Sequence, residues 1–308
     1  MSTKGSPYAI LEAPSSLGLR STGVERLPER LLELGLAERI GARLAGRLDP
    51  PPNLAGFDPD TQVLNADAIA RWTPKLADHV ETVLASGGVP LILGGDCSIL
   101  LGSMLALRRR GRFGLLFVDG HADFFQPEAD PSGEAASMEL GFATGQGPRL
   151  LADIEGRRPL VRSEDVVAFG FRDAEDQAQH GSQALPADLR AYDLAAVRDL
   201  GADVATERAV AHLTRDGLAG IFIHLDADCL DDAVMPAVDD RTPGGLSSDE
   251  LETTLAVALG SGRVVGLEVT IYNPDLDADR SAGRVLADVL AAALGSVSAP
   301  RAAGRPRA

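Results

Sequence analysis

Short, continuously apolar runs alternate with longer alanine- and leucine-rich segments, a pattern that predicts an α/β chain with a three-layer α/β/α architecture and a mainly parallel central sheet. Three observations carry that expectation. The best-marked runs are apolar along their whole length, as strands covered on both faces must be. The segments between them are long enough to hold crossover helices. The acidic and glycine-rich motifs fall where the apolar runs stop, and ligands of open α/β sheets bind beyond the carboxyl ends of strands.

Taken in order, Tyr8–Glu12 is the first apolar run and predicts a strand, followed by a leucine-rich helix over Glu25–Leu48. Ala66–Ala85 reads as a helix that stops before Gly87-Gly88, and Val89–Leu93 as a strand that stops at Gly94-Gly95. Ser98–Arg110 predicts a helix whose last turn carries Arg108-Arg109-Arg110, read as a solvated end favoured by the helix dipole. Gly114–Val118 and Asp165–Phe169 are apolar strands. Asp203–Asp216 is a helix, Gly220–Leu225 a strand, Ser248–Leu259 a helix with acids in its first turn, Arg263–Val269 a strand and Ala282–Leu294 a closing helix.

The 308 residues, 45% of them hydrophobic, can bury one large core, and no Pro/Ser-rich linker divides them. One domain is expected over 1–295, with a disordered tail over 296–308 that offers little to bury. A net charge of −16 opposes binding to nucleic acid or anionic membranes. Two cysteines, Cys97 and Cys229, are too few for a disulfide framework, and no apolar stretch is long enough for a signal sequence or a membrane span, so a cytoplasmic setting is expected.

The chemistry concentrates in two strand-end motifs, Asp119-Gly120-His121-Ala122-Asp123 and Asp226-Ala227-Asp228. On an extended chain Asp119, His121 and Asp123 share one face, as do Asp226 and Asp228. Turn formation explains a single Asp-x-Asp. Several carboxylates crowded at adjacent strand ends repel one another unless a cation or protons neutralise them. Hard oxygen donors mixed with imidazole suit manganese, iron or zinc.

With these residues in place, the chain resembles the ureohydrolase (arginase and agmatinase) family. The resemblance runs from Ala13-Pro14-Ser15-Ser16-Leu17-Gly18 to Asn273-Pro274 and is most specific at Gly94-Gly95-Asp96-Cys97-Ser98, at the Asp119 motif and at Asp226-Ala227-Asp228-Cys229-Leu230-Asp231. It implies a binuclear manganese hydrolase acting on a small guanidino or amidino substrate. Asp119 and Asp226 would bridge two ions, His121 and Asp228 would complete one site, and Asp123 would complete the other and orient an attacking hydroxide. It also implies a homo-oligomer, trimeric or hexameric.

Three departures alter that expectation. Cys97 stands where the family usually has a ligating histidine, and a thiolate there would tilt the site toward zinc or iron. In Pro131–Met138, Glu134 and Ala136 replace an asparagine and a histidine of the family's substrate loop, leaving Glu134 either to recognise a cation or to cap the next helix. Ile271 falls where arginases grip the guanidinium with glutamate, a loss of about 1.5–3 kcal/mol unless a bulge brings Glu268 forward. Glu175 aligns with a residue that meets the substrate's far end. His224 reads as a satisfied core histidine. Alternatives from other classes are a non-catalytic metal-binding or regulatory relative and a mononuclear deacetylase-like amidohydrolase.

Overall fold

The computed structural model describes residues 6–20 and 23–295, so the predicted tail over 296–308 lies outside the described residues. Among the described residues ten strands form: β1 (Tyr8–Glu12), β2 (Arg43–Arg47), β3 (Phe57–Asp58), β4 (Val63–Leu64), β5 (Val89–Leu93), β6 (Gly114–Val118), β7 (Val166–Phe169), β8 (Arg190–Tyr192), β9 (Ile221–Asp226) and β10 (Val264–Thr270). Eight of them build one sheet in the order β2-β1-β5-β10-β9-β6-β7-β8, and each neighbouring pair is parallel. β3 and β4 make a separate antiparallel pair.

Strand alternation sorts the apolar side chains into two cores, which makes the fold three-layered. Leu116, Val118, Ile223 and Leu225 face one core, closed by helices that include Leu27–Glu33, Ala202–Leu213, Ser248–Gly260 and Ser281–Gly295. Leu115, Phe117 and Phe222 face the other, closed by Ala66–Ala85 and Leu100–Arg110. With both faces covered, the central strands have no solvent side on which to place polar residues, which is why they read as unbroken apolar runs.

The predicted helix over Glu25–Leu48 does not form as one element. Gly35 (φ 78°) and Gly41 (φ 64°) take left-handed conformations that separate two short helices, Leu27–Glu33 and Leu36–Ile40, and Arg43–Arg47 then pairs with β1 as the edge strand β2. The arginine run is also more than a solvated helix end. Arg109 bonds Asp78 at 2.7 Å, Glu81 at 3.0 Å and Glu155 at 2.5 Å, pinning the helix to its neighbours. No helix among the described residues is long and apolar enough to cross a membrane.

Candidate metal centre

The site grows from one local device used at three strand ends. Asp119 Oδ1 accepts the backbone N–H of His121 at 2.6 Å, Asp226 Oδ1 that of Asp228 at 2.7 Å, and Asp96 Oδ1 that of Ser98 at 2.9 Å. Each Asx turn bends the chain sharply off its strand. The register Val118↔Leu225 sets β6 beside β9, and Thr270↔Asp226 sets β10 on the other side, so the turns converge at one edge of the sheet. Glycine makes the convergence possible: a Cβ on Gly120 would lie 2.7 Å from the Asp228 carbonyl oxygen, and one on Gly95 1.7 Å from that of Ser15.

Three interlocking groups result, in each of which the ligand atoms lie within 4.8 Å of one another: Asp119, His121 and Asp228; Cys97, Asp119, His224 and Asp226; and Cys97, Asp119, Asp123 and Glu139. All six residues expected as ligands are thus brought together. His224 and Glu139 join them. Glu139 sits in the helix Glu139–Ala143, every residue of which is buried. Its apolar neighbours Met138, Leu140 and Phe142 were the sequence signal that this acid points inward.

Charge is distributed unevenly. Burial alone would lower the His121 imidazole, but Asp228, 2.9 Å from Nδ1, overcomes it and pushes the group up to about 10. Burial likewise opposes ionisation of Asp228, and His121 outweighs it, holding that carboxyl down to about 2. Asp119, Asp123, Asp226 and Glu139 are all pushed well up, by burial first and then mainly by neighbouring carboxylates. The Cys97 thiol is raised by burial and then by Asp226; it donates to Asp226 Oδ2 at 2.8 Å, with Thr270 Oγ1 at 3.2 Å.

Turn formation accounts for the Oδ1 atoms of Asp119 and Asp226. It does not account for Asp119 Oδ2, His224 Nε2 or either Glu139 oxygen, all buried without a hydrogen bond of regular geometry. Inward-facing oxygens and an imidazole nitrogen with no donor between them form a set that fits hard or borderline divalent cations.

His224 is held rigidly. Its ring stacks on Phe117 with centroids 4.6 Å apart, its Nδ1 meets Glu268 Oε1 at 2.7 Å, and its Nε2 faces Asp119 Oδ2 at 3.9 Å. Glu268 also accepts from Ser103 Oγ at 2.5 Å and is fully buried, outside the cavity wall. The structure therefore corrects its expected catalytic place. The irregularity in β10 lies between Val264 and Gly266, before Glu268, so no bulge carries Glu268 forward. Its contacts are with His224 and Ser103 rather than with the cavity.

Above the turns opens a cavity of about 410 Å³. Asp123, Asp226 and Asp228 face it from below, and Glu134, Asp173, Asp176, Asp239 and Asp240 from the sides. Glu134 forms no helix-cap hydrogen bond; it accepts the backbone N–H of Arg20 at 2.7 Å. Glu175 is exposed on the helix Ala174–His180 and does not line the cavity, where Asp173 and Asp176 stand instead. Ile271 lines the wall with φ 69°, a strained conformation for a β-branched residue, costing about 1–3 kcal/mol. Asp231 is a turn former, accepting from Ala233 N at 2.8 Å.

The profile of the Arginase family matches residues 6–295, from before β1 to the end of the last described helix. The chain belongs to the arginase family. An arginase of Staphylococcus aureus (strain COL) is 28% identical over 287 residues, covering 90% of this chain and 93% of that one. An arginase of Bacillus subtilis (strain 168) is 26% identical over 291 residues, covering 93% and 97%. Among solved structures, arginase from Bacillus caldovelox superposes with a TM-score of 0.83 at 27% identity, covering 95% of this chain and 99% of that one. Arginase-family membership thus spans the whole sheet and every turn that carries a candidate ligand.

Proposed function

We propose that this arginase-family protein is a divalent-metal-dependent hydrolase that cleaves a C–N bond of a cationic guanidino or amidino compound. The observation that carries the reading is the position of the buried carboxylate cluster at the floor of a cavity whose walls are themselves acidic. Two divalent ions, manganese in the first instance, would be held by Asp119, His121, Asp123, Asp226 and Asp228. When bound, such ions lower the pKa of water toward neutrality and stabilise charge developing on a trigonal carbon.

The chain's own residues supply the rest. The wall carboxylates attract and orient a cation entering the cavity, where the local potential is negative. Asp123 belongs to the ligand cluster and also faces the cavity, so its carboxyl is placed to hold or pass a proton beside the substrate. Ile271 gives the reacting end an apolar neighbour in place of a charge-assisted hydrogen bond, which favours a less basic or substituted guanidine over arginine. The test is a screen of the manganese-loaded protein against guanidines, hydroxyguanidines and formimino compounds, with urea and ammonia release as the readout. Turnover abolished by Asp123→Ala supports the reading; no release from any class by fully metallated protein overturns it.

A further inference from the structure

Glu139 is the most anomalous group in the molecule. Its side chain is fully buried, and both carboxyl oxygens lack a hydrogen-bond partner of regular geometry. Its closest polar company consists of other acids: it faces the Asp123 carboxyl, with Asp119 also in the group of atoms lying within 4.8 Å of one another. An unpaired carboxylate sealed from water costs several kcal/mol, and placing it against further carboxylates adds repulsion.

The ordinary explanations do not cover it. Acids in a helix's first turn are favoured by the helix dipole, but the helix Glu139–Ala143 has five residues and such acids normally stay in water. No arginine or lysine pairs with Glu139 among the described ion pairs. The thiol of Cys97, the remaining member of the group, is engaged with Asp226 and Thr270. The Glu139 carboxylate therefore converges with those of Asp119 and Asp123 with no lysine or arginine paired to it among the described residues, while His121, the cationic group of the cluster, is engaged with Asp228 at 2.9 Å.

We infer that Glu139 is a metal ligand: its carboxylate completes, with Asp119 and Asp123, an oxygen-rich divalent-cation site beside Cys97. Cys97 Sγ, engaged with Asp226 Oδ2 at 2.8 Å and Thr270 Oγ1 at 3.2 Å, steadies Asp226 and leaves coordination to oxygen. A site of that composition selects manganese or iron over zinc. The inference rests on the proposed metal dependence and adds to it a ligand and a preference.

The test is manganese binding to the full-length protein after chelator treatment, followed by isothermal calorimetry and by loss of the free Mn²⁺ electron paramagnetic resonance signal. The expected result is two ions per wild-type chain. Glu139→Gln, which keeps the shape and removes the charge, should retain one ion and bind the other roughly 100-fold more weakly. Its melting temperature in chelator should be equal to or above wild type, because the amide neither repels its neighbours nor needs a proton to be buried. Glu139→Asp, which withdraws the carboxylate by one methylene, should fold like wild type and weaken the same ion to a lesser degree. Two ions of unchanged affinity in both variants would overturn the inference while leaving the metal-dependent reading intact. Wild-type protein that binds no divalent ion would overturn both.

Discussion

The two halves of the acidic cluster solve the same electrostatic problem in different ways. On the β6–β9 side, Asp228 sits 2.9 Å from His121, and the pair neutralises itself without help. On the β5 side, Asp119 Oδ2, Asp123 and Glu139 crowd around a thiol with no cation among them. The first half is stable as protein alone. The second is tolerable only with protons or a metal ion in place, and this contrast marks where folding and ligand binding are coupled.

The largest break in the comparison should come from Asp119, the one residue common to all three groups. Asp119→Ala is expected to remove both ions by elemental analysis and to lower turnover on any responsive guanidine by roughly 1000-fold; retention of two ions would show that the halves are independent. A smaller and more selective effect is expected from His121→Ala, which strands Asp228 in the interior. It should cost about 3 kcal/mol in urea unfolding with chelator present. Glu139→Gln should cost nothing in the same assay. Equal losses would erase the distinction between the halves.

The third prediction concerns pH. Asp119, Asp123, Asp226 and Glu139 have folded pKa values raised above their unfolded ones, so the folded state binds more protons. Their contribution is full below the unfolded carboxyl range and is lost as pH rises above it. His121, raised to about 10, has the same sign: its contribution is full below about 6.5 and lost as pH rises through the folded value. Metal-free protein should therefore melt about 3 °C or more lower at pH 8 than at pH 5.5. With manganese the trend should flatten or reverse, since coordination needs deprotonated ligands. A melting temperature that rises with pH in chelator would show that the buried half is not protonated.

Much of this arrangement was legible in the sequence, and the reasons differ by element. β1, β5 and β6 begin and end where their apolar runs do, because burial on both faces leaves unbroken apolar runs too short for a helix. The sheet edges were not legible. Arg43–Arg47 is largely exposed and carries arginines at both ends, and Arg190–Tyr192 is three residues long, so neither shows a strand pattern. Five of the six expected ligands were visible because strand ends space them by two, and Cys97 was singled out only through the family resemblance. Glu139 and His224 were not, since their part depends on which elements pack against them. Glu175 and Asp176 are both exposed on the same short helix, yet only Asp176 lines the cavity, because one step along a helix turns the side chain by about 100°.

The glycine at position 120 has a consequence for how this centre can change. No Cβ fits between the β6 turn and the Asp228 backbone, so the two turns meet main chain to main chain. The offset between Asp119 and Asp226 is then fixed by the pitch of neighbouring strands, about 4.8 Å, rather than by rotamers that a nearby substitution can relax. The sheet acts as a ruler for the centre. The outer segments that bear Glu134, Asp176 and Ile271 can exchange one substrate preference for another without recalibrating it.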